Sequence, residues 1–80
     1  MLSQVFDCPM SDLDIGNYNY DETDIATAIK YTKMYLTTHV LPPIIVVRQR
    51  NGRFKVQTTV IAYVVAHNLS LSTIQAQELT

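Results

Sequence analysis

Ile44-Ile45-Val46-Val47-Arg48-Gln49-Arg50-Asn51-Gly52-Arg53-Phe54-Lys55-Val56 is the stretch that decides the fold. The β-branched run Ile44 to Arg48 reads as a strand. Asn51-Gly52 is a strong short hairpin signal, and Arg53 to Gln57 forms the return strand. A two-residue turn makes Arg50 face Arg53, Gln49 face Phe54 and Arg48 face Lys55. Side chains alternate along a strand. Arg48, Arg50, Arg53 and Lys55 are therefore expected on one face, with Val47, Phe54 and Val56 on the other, toward a core. Like charges directly opposite destabilise a hairpin, so the cationic face calls for an anion. The acidic N-terminal segment, a partner protein or phosphate could each supply one. A solvated tip screened by salt is the plainer alternative. The face carries no aromatic residue, so it lacks the stacking platform of single-strand nucleic-acid binders.

Upstream of the hairpin, Pro42 and Pro43 stop a helix that runs from about Glu22 to Thr38. Asp21 is its expected N-cap, and Glu22 and Asp24 put negative charge in the first turn, where the helix dipole favours it. Ile25, Ala28, Ile29, Thr32 and Leu36 recur at helical spacing and predict a stripe toward the core. Further upstream, Ser3 to Cys8 reads as a first strand ended by Pro9. Ser11 to Asn19 reads as a turn-rich connection with Gly16 and Asn17 as breakers. Downstream, Thr58 or Thr59 caps a second helix over about Val60 to Asn68, where Asn68 suits a left-handed end. That helix is apolar nearly all round, which predicts burial on more than one side. Ile61, Tyr63, Val64 and Val65 are thus candidate interface residues. Ile74 to Leu79 forms a last strand. The order is β-α-β-β-α-β, an α+β class, expected as one domain over residues 1–80.

Length and composition narrow the function. A chain of 80 residues buries a thin core. Charged residues make up 16%, and with 48% apolar residues that is a globular composition. The net charge of −1 argues against a general nucleic-acid or membrane binder. Charge is nevertheless divided along the chain. Asp7, Asp12, Asp14, Asp21, Glu22 and Asp24 precede all the cations, which lie between Lys30 and Lys55. Such a split fits head-to-tail association or an anionic ligand, beside the plain reading of two solvated surfaces. One cysteine, Cys8, excludes an internal disulfide and fits a reducing compartment. The first ten residues lack the charge and apolar run of a secretion signal. The longest apolar run, Val60 to Ala66, is too short to span a bilayer. The expected location is the cytoplasm.

Catalytic chemistry finds little to stand on. With glycine only at Gly16 and Gly52, no phosphate-cradling loop can be built. His39 and His67 fall at helix C-termini, where partial positive charge is favourable, and no Cys/His pair has metal-ligand spacing. Asp21, Glu22 and Asp24 are explained by the helix start. Tyr18, Tyr20, Tyr31, Tyr35 and Tyr63 suit either an interface or partial burial. No metal and no cofactor are expected.

The order of elements and several local motifs resemble the ParB N-terminal/sulfiredoxin-like family, from about Cys8 to Leu79. Pro9-Met10-Ser11-Asp12-Leu13 is similar to the family's "pl-dl" opening. Leu41-Pro42-Pro43-Ile44-Ile45-Val46-Val47 resembles its "lpPIvV" strand. Asn51-Gly52-Arg53-Phe54-Lys55-Val56 resembles its "dGryev" hairpin. Ala66-His67-Asn68-Leu69 and Ile74-Gln75-Ala76 are similar to its "A--lGl--ipA" ending. The resemblance implies a Gly-x-x-Arg motif at the start of the helix after the hairpin. Its glycine lets the backbone approach phosphate, and its arginine binds it. In the sulfiredoxin branch a reactive cysteine shares the motif. The matching stretch here, within a residue or two, is Gln57-Thr58-Thr59-Val60-Ile61-Ala62, without glycine, arginine or cysteine. Cys8 lies elsewhere and cannot inherit the role. The expected protein is a non-catalytic member acting through protein association, as a homodimer, an adaptor or a regulatory subunit. The alternative is a small nucleic-acid or nucleotide binder using the basic hairpin.

Overall fold

The computed structural model describes residues 1–80. Strand β1 (Phe6–Pro9) leads through a 3-10 turn, Met10–Asp12, into a two-residue strand β2 (Leu13–Asp14). Helix α1 (Glu22–Thr38) follows, then strands β3 (Ile44–Arg48) and β4 (Phe54–Thr58), helix α2 (Val60–Asn68) and strand β5 (Thr73–Glu78). The sheet order is β1-β5-β3-β4-β2. β1 pairs antiparallel with β5 and β3 with β4, while β5 runs parallel to β3 and β2 parallel to β4. The predicted β-α-β-β-α-β order holds, with β2 added. Two residues carry no alternation pattern, so β2 was invisible to periodicity. Leu13 is nonetheless buried opposite Phe54.

The core is one cluster of Cys8, Leu13, Leu41, Ile44, Val46, Phe54, Val56, Ile61, Ala62, Val65, Ala66, Ile74 and Ala76. Alternate residues of β3, β4 and β5 supply the sheet side. Ile61, Ala62, Val65 and Ala66 form one stripe of α2 against them. Pro9 sits on edge strand β1, where a missing N–H costs no central ladder bond.

Helix α1 packs on α2 and buries no residue fully. This corrects the stripe read from sequence. Ile25, Ile29 and Leu36 are 58%, 52% and 65% exposed. The residues packed against the core are Ala28, Tyr31 and Tyr35. Tyrosine rings supply large apolar area while their hydroxyls stay at the edge, so residues with polar tips took the inner face. The helix start is as expected. The Asp24 amide donates to Asp21 Oδ1 (2.9 Å), and the Asp21 amide donates to Asp24 Oδ2 (3.1 Å). These reciprocal bonds close a capping box. His39 closes the other end in a left-handed conformation.

The hairpin differs from its predicted register by one residue. Arg48 lies opposite Phe54, Val47 opposite Lys55 and Val46 opposite Val56. The connection is a three-residue loop, Arg50-Asn51-Gly52. The Gln49 amide donates to the Arg53 carbonyl (2.7 Å), and the Gly52 amide to the Gln49 carbonyl (3.1 Å). This loop needs a left-handed residue only at Gly52, φ 83°. Asn51 holds the exit by accepting from the Arg53 amide through Oδ1 (2.9 Å). A two-residue turn would need positive φ at both Asn51 and Gly52.

Candidate functional site

The register change takes the four hairpin cations apart. Arg48 shares a face with Val46, Phe54 and Val56, while Lys55 shares one with Val47. The expected common face of Arg48, Arg50, Arg53 and Lys55 therefore does not form. The Arg48 guanidinium lies 4.6 Å from the Phe54 ring centroid and 3.3 Å from the Glu78 carboxylate. Glu78 is the one acid outside the N-terminal segment, so the compensating anion comes from β5 instead. Arg53 Nη2 donates to the Leu13 carbonyl (2.8 Å), tying the short β2 to the hairpin end. Arg50 and Lys55 remain exposed.

The start of α2 has a different character. Thr59 is its N-cap, but at φ 61° and ψ 35°, with no capping bond from its side chain. A β-branched residue is a genuine outlier there. The expected threonine cap therefore holds in position and not in mechanism. At the far end Ser70, not Asn68, adopts the left-handed conformation, φ 57°.

Between the helices lies an open groove of about 460 Å³, lined by Ile25, Ala28, Ile29 and Thr32 of α1 and Ile61 and Val64 of α2. Tyr20, Asp24 and Lys33 complete its rim, and its lining is almost wholly apolar. Thr32 takes no polar part, because its hydroxyl donates to the Ala28 carbonyl (2.8 Å). Tyr20 is braced edge-on by Tyr18 at 5.0 Å, and the Tyr18 hydroxyl donates to Asp24 Oδ1 (3.2 Å). Of the candidate interface residues, Val65 and Ile61 are buried in the chain's own core. Ile61 still reaches the groove floor beside half-buried Val64. Tyr63 is half-buried and stacks on His67 at 6.3 Å. Sequence reasoning missed that the apolar side of α1 faces out. Tyr31 and Tyr35, at i and i+4 on another face of the same helix, were the available signal.

Cys8 is fully buried on β1, and burial, followed by the negative charge of Asp12, pushes its thiol pKa up. A raised pKa withholds the reactive thiolate. Asp21 and Asp24 are committed to the capping box. No group of three His, Cys, Asp or Glu side chains is placed to hold a metal ion. No helix is long and apolar enough to cross a membrane.

No family model and no curated protein matches the sequence. Solved structures do match the fold. Sulfiredoxin from Arabidopsis thaliana superposes with a TM-score of 0.76 at 14% identity, over 98% of this chain and 86% of that one. C-terminally truncated SbnI from Staphylococcus aureus gives a TM-score of 0.76 at 18% identity, over 95% of this chain and 30% of its own. The C-terminally truncated chromosome-partitioning protein ParB from Caulobacter crescentus, complexed with CTP-gamma-S, gives 0.67 at 16% identity, over 96% and 44%. This chain has the ParB/sulfiredoxin-like fold. It spans most of the sulfiredoxin and under half of the other two chains. The residue holding a glycine-favoured conformation at the start of α2 is Thr59. Counting Gly-x-x-Arg from there puts the arginine's place at Ala62, which is fully buried. The two intervening places are Val60 and Ile61. No side chain from Gln57 to Ala62 is charged.

Proposed function

We propose that this chain is a non-catalytic ParB/sulfiredoxin-like module that acts through protein association, as a homodimer or as an adaptor or regulatory subunit. One observation carries the reading. Where the resemblance implies a phosphate-binding arm, α2 opens on Thr59-Val60-Ile61-Ala62, and Ile61 joins Ile25, Ile29 and Val64 around an apolar groove. Phosphate needs donors and positive charge at close range. An apolar groove rewards the burial of another apolar surface instead. The hairpin supports the same reading, since Arg48 and Arg53 are engaged within the fold and Lys55 lies on the opposite face from Arg48.

A second reading, nucleotide or nucleic-acid binding, draws on the ParB neighbour, whose structure holds CTP-gamma-S. Arg50 and Lys55 would carry it. Thermal melting with CTP, ATP, duplex DNA and single-stranded RNA, at low and moderate salt, separates the two. A ligand that binds only the folded state stabilises by about 2.7 kcal/mol at a hundredfold excess over its dissociation constant. The association reading expects no shift with any of the four. A shift that fades with salt and with Arg50→Glu would overturn it in favour of the second.

A further inference from the structure

Ile25, Ile29 and Leu36 line the outer side of α1, each more than half exposed. Glu22 and Lys33 flank this row, eleven residues apart. Eleven residues make about three helical turns, so both charges lie on the same side of the row, one near each end. That arrangement is self-complementary. We infer that α1 of a second copy of this chain covers the Ile25–Ile29 part of this face, packed antiparallel about a two-fold axis level with Thr27. The inference rests on the association reading and names its partner.

The geometry follows from the numbering. In an antiparallel pair with its axis level with Thr27, Ile25 of one copy stands level with Ile29 of the other, and the reverse. Glu22 then stands within one residue's rise, about 1.5 Å, of the level of Lys33 in the second copy. The two-fold makes this ion pair twice, once at each end of the contact along the same edge. A parallel arrangement would set Glu22 against Glu22 and Lys33 against Lys33. Ala26 and Ala28 leave room for the helices to approach. The Thr32 hydroxyl is satisfied inside its own helix, so no polar group is stranded. The adjoining groove floor, Ile61 and Val64, extends the apolar surface beyond the helix itself. A standard interface buries roughly 800 Å² per partner, about 15% of the 5345 Å² surface of this chain. A net charge of −1 per copy leaves little long-range repulsion to overcome.

Equilibrium sedimentation of the 80-residue chain tests this. The expected species has twice the 9.1 kDa mass of one chain. Ile29→Asp is expected to give a monomer, with circular dichroism reporting an intact fold because the site is half exposed. Glu22→Lys and Lys33→Glu are each expected to raise the dissociation constant about tenfold, since two symmetric pairs turn repulsive together. The double variant Glu22→Lys/Lys33→Glu is expected to restore it. A wild-type monomer overturns the inference. A dimer indifferent to Ile29→Asp overturns the α1 face while upholding association. A dimer broken by Ile29→Asp but not rescued by the charge exchange overturns the antiparallel pairing. The association reading fails separately, on a nucleotide-induced shift in melting.

Discussion

Thr59 shows how much a single backbone conformation reports. Its φ of 61° is one that glycine adopts freely and a β-branched residue adopts at a cost of about 1–2 kcal/mol. Thr59→Gly removes that cost but gives the unfolded chain more freedom, which offsets part of the gain. The expected net is a stabilisation of about 0.5–1 kcal/mol, measured by urea unfolding. A loss of stability would mean that the threonine side chain contributes a contact of its own. Cys8 gives a pH prediction at the same scale. Its pKa is higher in the folded chain than in the unfolded one. The thiol's contribution is complete below the unfolded value and is lost as pH rises through the folded value. Unfolding free energy is therefore expected to fall as pH rises above about 8.5, the ordinary thiol value. Cys8→Ala is expected to lack that component of the slope, although its stability at neutral pH is lower for lost packing. Identical slopes for the two proteins would remove the thiol from the account.

The elements were legible in the sequence to different depths. Helix α1 begins and ends where its signals place it, because caps and prolines act within a turn or two of the chain. Its orientation was not legible. The strongest apolar row, Ile25 to Leu36, points away from the core, and Tyr31 and Tyr35 point toward it. Periodicity identifies faces, but which face is inward depends on the neighbouring helix, and α2 is only nine residues long. The hairpin was recognised from Asn51-Gly52, yet its register turned on one torsion. Keeping Asn51 at negative φ made the loop three residues long and moved Arg48 onto the Phe54 face. Since Leu36 is exposed and Ile44 fully buried, Leu36→Ala is expected to change monomer stability within about 0.5 kcal/mol. Ile44→Ala is expected to cost about 2–5 kcal/mol. Comparable losses at both positions would place the α1 stripe inward after all. Gly52→Ala is expected to cost about 1 kcal/mol or more, because φ 83° suits only glycine.

At the scale of the molecule, the fold was legible because the resemblance rested on order and spacing, which the superpositions preserve at 14–18% identity. The working surface was only half legible. The lack of charge from Gln57 to Ala62 could be read directly, and the positive φ of Thr59 could not. The apolar surface that accompanies this loss was assigned to α2 alone. The structure instead draws it from both helices and sends Val65 into the core. The charge split along the sequence also changes meaning in three dimensions. Glu78 neutralises Arg48, Asp21 and Asp24 cap α1, and Glu22 and Lys33 remain beside the exposed row. Raising salt is therefore expected to weaken self-association modestly, as for exposed ion pairs, and not to abolish it. The central claim is that the outer face of α1 is where this protein meets another copy of itself. Backbone amide NMR spectra recorded across a dilution series test it most directly. The account predicts concentration-dependent shifts concentrated at Glu22 to Lys33, with the hairpin loop unchanged. Spectra that do not change with dilution, or that change at Arg50 to Lys55 instead, would contradict it.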